Sequence, residues 1–411
     1  MRILVVGGGG REHALCQALG SHELHAAPGN PGIAGVATCH PVAVDDLDGQ
    51  VALAQALAAE LVVIGPELPL VLGLADRLRA KGFAVFGPSA AAARVEGSKA
   101  FAKELMGAAG IPTARFRACG TLPEAVAAID ELGGACVIKA DGLAAGKGVS
   151  VCGSRDEAVA AAAACFDGAF GEAGASVVVE QLMTGPEVSL LALCAGGRAY
   201  PLAPAQDFKR IFDGDRGPNT GGMGAYSPLP ALSEADVDEL VRTVHEPLLA
   251  ELARRGTPFT GCLYAGLMLT PEGVRVIEYN VRFGDPETQA LVARIDGDLA
   301  PALLEPQPVR MRDGAAITVV LAAPGYPQAT RTGQAITGIE RAEAIDGVTV
   351  QHAGTATTNG RLVVAGGRVL SVTARGRSLA EARERAYRGV DLIEFDGKQA
   401  RTDIALEAAR V

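Results

Sequence analysis

Tryptophan is missing from this 411-residue chain, and aromatic residues make up only 4% of it. Packing falls to aliphatic residues: the 49% hydrophobic content, with alanine and glycine prominent, suits packed helices and parallel strands, and 20% charge excludes the disordered class. No block of lysine or arginine occurs, and 47 acidic against 37 basic residues give a formal charge of -10. That balance speaks against nucleic acid and anionic membrane as partners. The eight cysteines stand singly with no CxxC pair, so neither a zinc site nor a disulfide framework is expected, and a reducing cytoplasm fits best. No apolar stretch approaches 18 residues, and the N-terminal run Ile3 to Val6 is too short for a signal peptide. There is no long repeat, no low-complexity tail and no Ser-His-Asp or Cys-His signature of a protein nucleophile.

What is present begins with a loop. A strand-like run, Cys136 to Ala140, leads into "DGLAAGKG" (Asp141 to Gly148), and a second apolar run, Val149 to Cys152, follows. Glycines let backbone N–H groups wrap an anion, and Lys139 and Lys147 supply charge for phosphate oxygens. It is not a Walker A loop: only three residues lie between Gly142 and Gly146 where that motif has four, Gly148 stands where a Ser or Thr would hold Mg²⁺, and a strand follows instead of a helix. The alternative is a hairpin whose glycines serve only the turn.

Length sets a prior of two to four domains. The first hundred residues alternate strand and helix as a doubly wound parallel sheet: "RILVV", a helix from about Arg11 to Leu19, a strand around Leu24, a helix around Val51 to Ala58, "LVVIG", a helix Pro69 to Ala80 and "FAVFG". Ser98 caps a helix to Ala109, stopped by Gly110 and Pro112. The resulting division is an N-terminal domain at 1–102, a middle domain at 103–312 containing a small α/β unit at about 113–184, and, after the linker "LLEPQPVRMRDG", a domain at 313–411 with a helix Leu379 to Arg388.

"VVGGGGREHA" sets Gly7 to Gly10 between a strand and a helix, where helix amides face an anion. A GxG beginning at Gly7 or Gly8 meets Glu12 or His13 where a dinucleotide fingerprint needs its third glycine. A phosphate there is credible, a tight packing turn is the alternative, and a nicotinamide-dependent oxidoreductase is disfavoured. In "VIEYNVRFGDPETQ" (Val276 to Gln289), Glu278 and Asn280 share one strand face, and two oxygen donors so placed suit Mg²⁺ with phosphate oxygens. Arg282 continues that face if the strand persists, to counter charge on a transferring phosphoryl group. Asp285 and Glu287 follow Gly284 in what reads as an exposed acidic turn. In the long polar stretch Gln206 to Pro228, Asp207, Lys209 and Arg210 are placed to orient a small charged substrate. The tetrad Asn219, Thr220, Gly221 and Gly222 offers amides to an anion, and Asp213 and Asp215 read as solvated loop.

Taken in order, "GGGGREHAL", "GPELPLVLGLAD", "EGSKAFAKELM", "VIKADGLAAGKGV", "GPNTGGMGAYSP", "VIEYNVRFGDPETQ", "HAGT" and "GGRVLSVTA" resemble the phosphoribosylamine–glycine ligase family almost end to end. The resemblance implies an α/β multidomain enzyme: a pre-ATP-grasp domain, a two-lobed α+β ATP-grasp domain with a small lid, and a C-terminal α/β domain. It implies ATP-dependent joining of phosphoribosylamine and glycine through glycyl phosphate, in purine biosynthesis. Lys99, Lys139, Asp141, Gly142, Gly146, Lys147 and Gly148 resemble phosphate contacts. Glu180 and Leu182 resemble adenine contacts through backbone groups, and Glu187 the ribose contact. Glu278 and Asn280 correspond to metal ligands for Mg²⁺, with Mn²⁺ an alternative. The phosphoribosyl side is implied at Gly9, Arg11, Glu12, Asn30 and Glu67. Glycine and catalytic contacts are implied at Asp207, Lys209, Asn219, Gly221, Gly222, Arg282, Asp285 and Glu287. Two departures stand out: Phe208 where a histidine is common, and Gly8 where an asparagine is common. A cytoplasmic monomer with no further enzyme fused on is expected, and a noncatalytic nucleotide sensor is the rival of a different class.

Overall fold

The computed structural model describes residues 1–143 and 148–410. Strands β1 (Arg2–Gly7), β2 (Glu23–Pro28), β3 (Thr38–Cys39), β4 (Leu61–Ile64) and β5 (Val85–Phe86) form a parallel sheet in the order β3-β2-β1-β4-β5. Ile3 to Val6 and Leu61 to Ile64 are almost fully buried, because helices cover both sheet faces and leave no polar side to the strands. The chain leaves β1 toward β2 and returns on the other side at β4, so a ligand crevice opens at the carboxyl ends of those strands. The helix expected over Pro69 to Ala80 is two helices, Glu67–Val71 and Leu74–Ala80, because Gly73 between them takes φ +92°. A helix that the sequence reading passed over, Ala90–Gly97, is capped by Ser89. It runs directly into Lys99–Ala108, capped as expected by Ser98.

Strands β6 (Phe116–Cys119), β7 (Cys136–Ala140), β8 (Val149–Cys152) and β9 (Val177–Gln181) make an antiparallel sheet in the order β6-β9-β7-β8. Two helices pack on it, Leu122–Glu131 and Arg155–Ala164, and their apolar faces join Cys136, Ile138, Val177 and Val179 in a hydrophobic core of its own. A unit with a separate core moves as one body when its linkers bend.

The central sheet has the order β11-β10-β16-β17, from β10 (Glu187–Ala195), β11 (Arg198–Pro201), β16 (Gly261–Thr270) and β17 (Gly273–Asn280). The polar stretch Gln206 to Pro228 is not a free loop. It contains β12 (Gln206–Asp207), β13 (Arg210–Phe212), β14 (Arg216–Asn219) and β15 (Gly224–Ser227), with β13 and β14 paired as a hairpin. Strands β12 and β15 join β18 (Ala315–Ala322), β19 (Val348–His352) and β22 (Arg368–Gly376) in a five-stranded sheet. The hairpin β20 (Thr355–Thr358) and β21 (Arg361–Val364) stands apart, and the helix Leu379–Leu392 covers β18 and β22. The unit expected at 313–411 therefore does not close its own sheet: two of its strands come from upstream of the proline-bearing linker.

The N-terminal and C-terminal parts of the chain meet at a buried polar seam. His352 N–H donates to His13 Nδ1 at 2.8 Å, and Asn30 Nδ2 donates to the Gly8 and His352 carbonyls. Burial pushes His13 down to about 3, with His352 adding to the shift, and pushes His352 down to about 4. Both rings are neutral at neutral pH, so the seam is held by hydrogen bonds rather than by charge.

Candidate active site

A cavity of about 770 Å³ lies where the β6–β9 unit, the central sheet, the parallel sheet and the C-terminal sheet converge. One end of it is built on lysines. Lys139, on β7, is 4% exposed and pairs with Glu180 at 3.0 Å, while Lys103 grips the other carboxylate oxygen at 2.9 Å. Lys99 Nζ donates to the Gly142 carbonyl at 2.7 Å and faces the same space. Gly142, Gly148, Glu180, Leu182 and Glu187 also line the cavity. Asp141 does not: it accepts from Ala100 N–H and from Ser176 Oγ, fixing the loop base to the helix beneath. Gly146 and Lys147 lie outside the described residues.

A β-bulge shapes the opposite wall. Gly266 pairs with Glu278 and Leu267 with Val276, so Ile277 has no partner across the strand and its carbonyl accepts from Lys139 Nζ at 3.1 Å. Beyond the bulge Glu278 and Asn280 both line the cavity. Burial raises the Glu278 carboxyl, but Lys209, Lys139 and Lys99 outweigh it and hold the group ionised, below its ordinary range. Among the described residues no three His, Cys, Asp or Glu side chains make a closed metal cage. One carboxylate and one amide oxygen beside a lysine-lined space are a donor set that fits a cation keeping phosphate oxygens among its ligands.

Lys209 sits at the acidic centre. Burial disfavours its charge, yet Asp207 and Glu187 hold it protonated well above the ordinary lysine value, and its Nζ donates to Glu187 at 2.8 Å. Asp207 is pushed up to about 7 by burial, against the pull of Lys209 and with Glu287 and Glu187 adding to the rise.

The strand ends at Asn280, so Arg282 does not continue its face. Its guanidinium reaches the cavity from the following turn, donating to Glu96 at 2.8 Å and lying 3.4 Å from Glu67. Burial opposes that charge, and Glu96 and Glu67 raise the group above its ordinary value. Glu96, which also accepts from Val281 N–H at 2.8 Å, fastens this turn to the helix Ala90–Gly97. Arg11 lines the cavity and donates to the Phe283 carbonyl at 3.1 Å. Glu12 instead turns inward, accepting from Gly9 N–H at 2.6 Å and from Arg11 Nε. A Cβ at Gly65 would lie 2.1 Å from the Glu12 carboxylate and one at Gly7 2.6 Å from it. The crevice between β1 and β4, where a dinucleotide would set its pyrophosphate, is thus filled by a buried acid. Gly9 and Asn30 are not on the cavity wall either, and Asn30 has its whole amide committed, with Oδ1 accepting from Gly32 and Ile33 N–H.

Asp285 and Glu287 are not an exposed acidic turn. Glu287 is 3% exposed and accepts from Tyr264 Oη at 2.8 Å and Ser189 Oγ at 3.3 Å. Asp285 accepts from Gln289 Nε2 at 2.8 Å and pairs with Arg368 at 3.2 Å. Both are held by distant partners, which is why local polarity misread them. The amides of Thr220, Gly221 and Gly222 are likewise taken, by the Lys209 carbonyl, Tyr326 Oη and Thr220 Oγ1, so they are not an anion nest. Arg368 Nη1 donates to the Gly221 and Asp285 carbonyls at 2.6 Å each, bolting the two segments together. Asn219 and Gly221 line the cavity and Gly222 does not. Asp213 and Asp215, read as solvated loop, bind Thr402 and Arg401, and the Arg401 guanidinium lies 4.9 Å over the Phe208 ring. At this position an aromatic face thus does structural work where a polar group was anticipated.

Lys103, Glu96, Tyr264 and Arg368 were missed. Lys103 had a signal, because it stands four residues after Lys99 and so shares its helix face. Glu96, Tyr264 and Arg368 had none, since their partners lie far away in sequence.

Three family models match the chain in succession: the phosphoribosylglycinamide synthetase N domain over residues 1–96, its ATP-grasp (A) domain over 97–288 and its C domain over 316–407. The phosphoribosylamine–glycine ligase of Streptomyces coelicolor is 54% identical over 425 aligned positions, with 100% of each chain covered. The protein of the same name from Mesorhizobium japonicum is 49% identical, covering 99% of this chain and 98% of its own. A crystal structure of phosphoribosylamine–glycine ligase from Thermotoga maritima superposes with a TM-score of 0.88 at 37% identity, covering 98% of this chain and 100% of that one. The biotin carboxylase domain of a Hydrogenobacter thermophilus 2-oxoglutarate carboxylase gives a TM-score of 0.74 at 16% identity over 97% of this chain and 91% of that one, a likeness of fold alone.

Proposed function

The chain belongs to the phosphoribosylglycinamide synthetase family, and from that membership we propose that it joins 5-phosphoribosylamine to glycine, converting ATP to ADP and phosphate. The observation that carries this reading is one cavity lined by Lys99 and Lys139, by Glu278 and Asn280, and by Lys209, Asp207 and Arg282. A glycine carboxylate oxygen attacks the γ-phosphorus, ADP leaves, and the amine nitrogen then attacks the acyl carbon of glycyl phosphate. Phosphate departs with that carboxylate oxygen, and the nitrogen loses a proton. Both reactants bring their own lone pairs, so positioning and charge neutralisation carry the catalysis and no protein nucleophile is needed.

Lys99 and Lys139 hold phosphate oxygens, and Arg282 meets negative charge on the transferring group. Lys209 receives the glycine carboxylate, and Asp207, held near 7, takes the proton from the attacking amine. Arg11 and Glu67 stand at the end of the cavity next to the parallel sheet and take the phosphoribosyl side. Glu278 and Asn280 would hold a divalent cation, Mg²⁺ by donor type, which when bound supplies charge to neutralise phosphate oxygens. Bending of the β6–β9 unit over the nucleotide excludes water that would otherwise hydrolyse the acyl phosphate.

ADP release is expected only when ATP, glycine and freshly made phosphoribosylamine are all present. A steady rate that survives omission of glycine or of the amine would overturn the assignment.

A further inference from the structure

A second cavity, of about 650 Å³, shares no lining residue with the first. It opens where the end of β22, the start of β18, the turn before β19 and the helix Leu379–Leu392 meet the segment that follows helix Glu287–Val292. Five arginines line it, Arg294, Arg312, Arg375, Arg377 and Arg385, with Asp313, Asp346 and Glu381 between them. Three have acidic partners. Arg312 pairs with Asp296 at 3.4 Å, Arg377 with Glu381 at 3.1 Å, and Arg385 with Glu381 at 3.0 Å and Asp346 at 3.3 Å.

The other two make no direct ion pair, although the Asp313 charge acts on Arg294 from farther away. Among the described residues no carboxylate lies within ion-pair distance of Arg294 or Arg375. Arg294 is only 8% exposed; it donates to Ser227 Oγ at 2.8 Å and to the Arg312 carbonyl at 3.4 Å, and its buried Nε has no partner. Only Asp313, beyond ion-pair distance, offsets the burial of this guanidinium, so an added anion would lower the remaining cost. That such a group lines a basic hollow in a protein of net charge -10 makes local attraction of an anion the physical consequence. The guanidinium fork matches tetrahedral oxyanions, and a hollow of this size admits a nucleoside monophosphate as readily as a free ion.

We propose that this hollow is a second anion site, taking a phosphate group through Arg294 and Arg375, either as inorganic phosphate or as a phosphate monoester. Helix Glu287–Val292 begins at the catalytic cavity and ends two residues before Arg294, so the two sites are joined by a single short helix.

The test is calorimetric titration of the full chain with inorganic phosphate and, separately, with adenosine 5′-monophosphate, at matched ionic strength in chloride. Arg375→Ala/Arg377→Ala removes two exposed guanidiniums and is expected to weaken one binding event about tenfold or more. Its kcat and its KM for ATP should equal the parent's, which shows that fold and catalytic cavity are intact. Loss of phosphate and monophosphate binding together identifies a site that reads phosphate alone, and loss of only the monophosphate identifies one that reads the ester. Titration of both probes indistinguishable from the parent's would overturn the proposal. Arg294→Lys, which keeps the charge but loses the fork, should weaken the same event, and parental affinity in that variant would count equally against it.

Discussion

Glu278→Ala is expected to lower kcat/KM for ATP by about three orders of magnitude while the protein stays folded. The carboxylate is held ionised by Lys209, Lys139 and Lys99 against the cost of burial. It is therefore ionised at neutral pH and available to a cation. A cation at a transferring phosphoryl group contributes several kcal/mol, and each 1.36 kcal/mol is tenfold in rate. Removing the carboxylate also leaves three lysines with less opposing charge, but the emptied site opens to solvent and the penalty is screened. Activity should therefore fall far more than the melting temperature. Steady-state kinetics across a Mg²⁺ series, with thermal unfolding alongside, checks this. Parental turnover at ordinary Mg²⁺ would remove Glu278 from the cation site.

Lys139→Met carries the second large effect, divided between binding and stability. The ammonium neutralises Glu180, which is 2% exposed, and donates to the unpaired Ile277 carbonyl. Breaking a buried ion pair by removing one partner costs roughly 3–5 kcal/mol, and the remaining Lys103–Glu180 contact places this case near the lower figure. A lost charge-assisted hydrogen bond to phosphate costs about 1.5–3 kcal/mol, or about ten- to a hundredfold in ATP affinity. Denaturant titration should show the first loss, and the rise in melting temperature on adding ADP should shrink by the second. An ADP-induced shift as large as the parent's would mean that Lys139 braces the β6–β9 unit without touching phosphate.

The parallel sheet and the strands β7 and β9 were legible because buried strands read as near-continuous apolar runs. Glu278 and Asn280 were legible from their spacing, because residues two apart on the part-buried strand β17 share one face. Local pattern failed where long-range contacts decide the outcome. Glu287 looks solvated in "GDPETQ" and is buried against Tyr264 and Ser189. The glycines of "NTGG" suggest a nest, yet their amides are consumed by Tyr326 and by the loop itself. Glu12 occupies a place where the sequence alone allowed a phosphate, and only the close approach of Gly7 and Gly65 reveals it. Likewise, β12 and β15 cross from the middle of the chain into the C-terminal sheet, a pairing that no sequence-local rule signals.

The account stands on carboxylate activation by phosphoryl transfer inside the cavity bounded by Lys139 and Glu278. Glycine labelled with ¹⁸O in its carboxylate, turned over with ATP and phosphoribosylamine, puts this to the most direct test by mass spectrometry of the released phosphate. One label per phosphate formed is the predicted result, because the oxygen that attacks phosphorus leaves with it. Unlabelled phosphate from a full turnover would contradict an acyl phosphate and the chemistry assigned to this site.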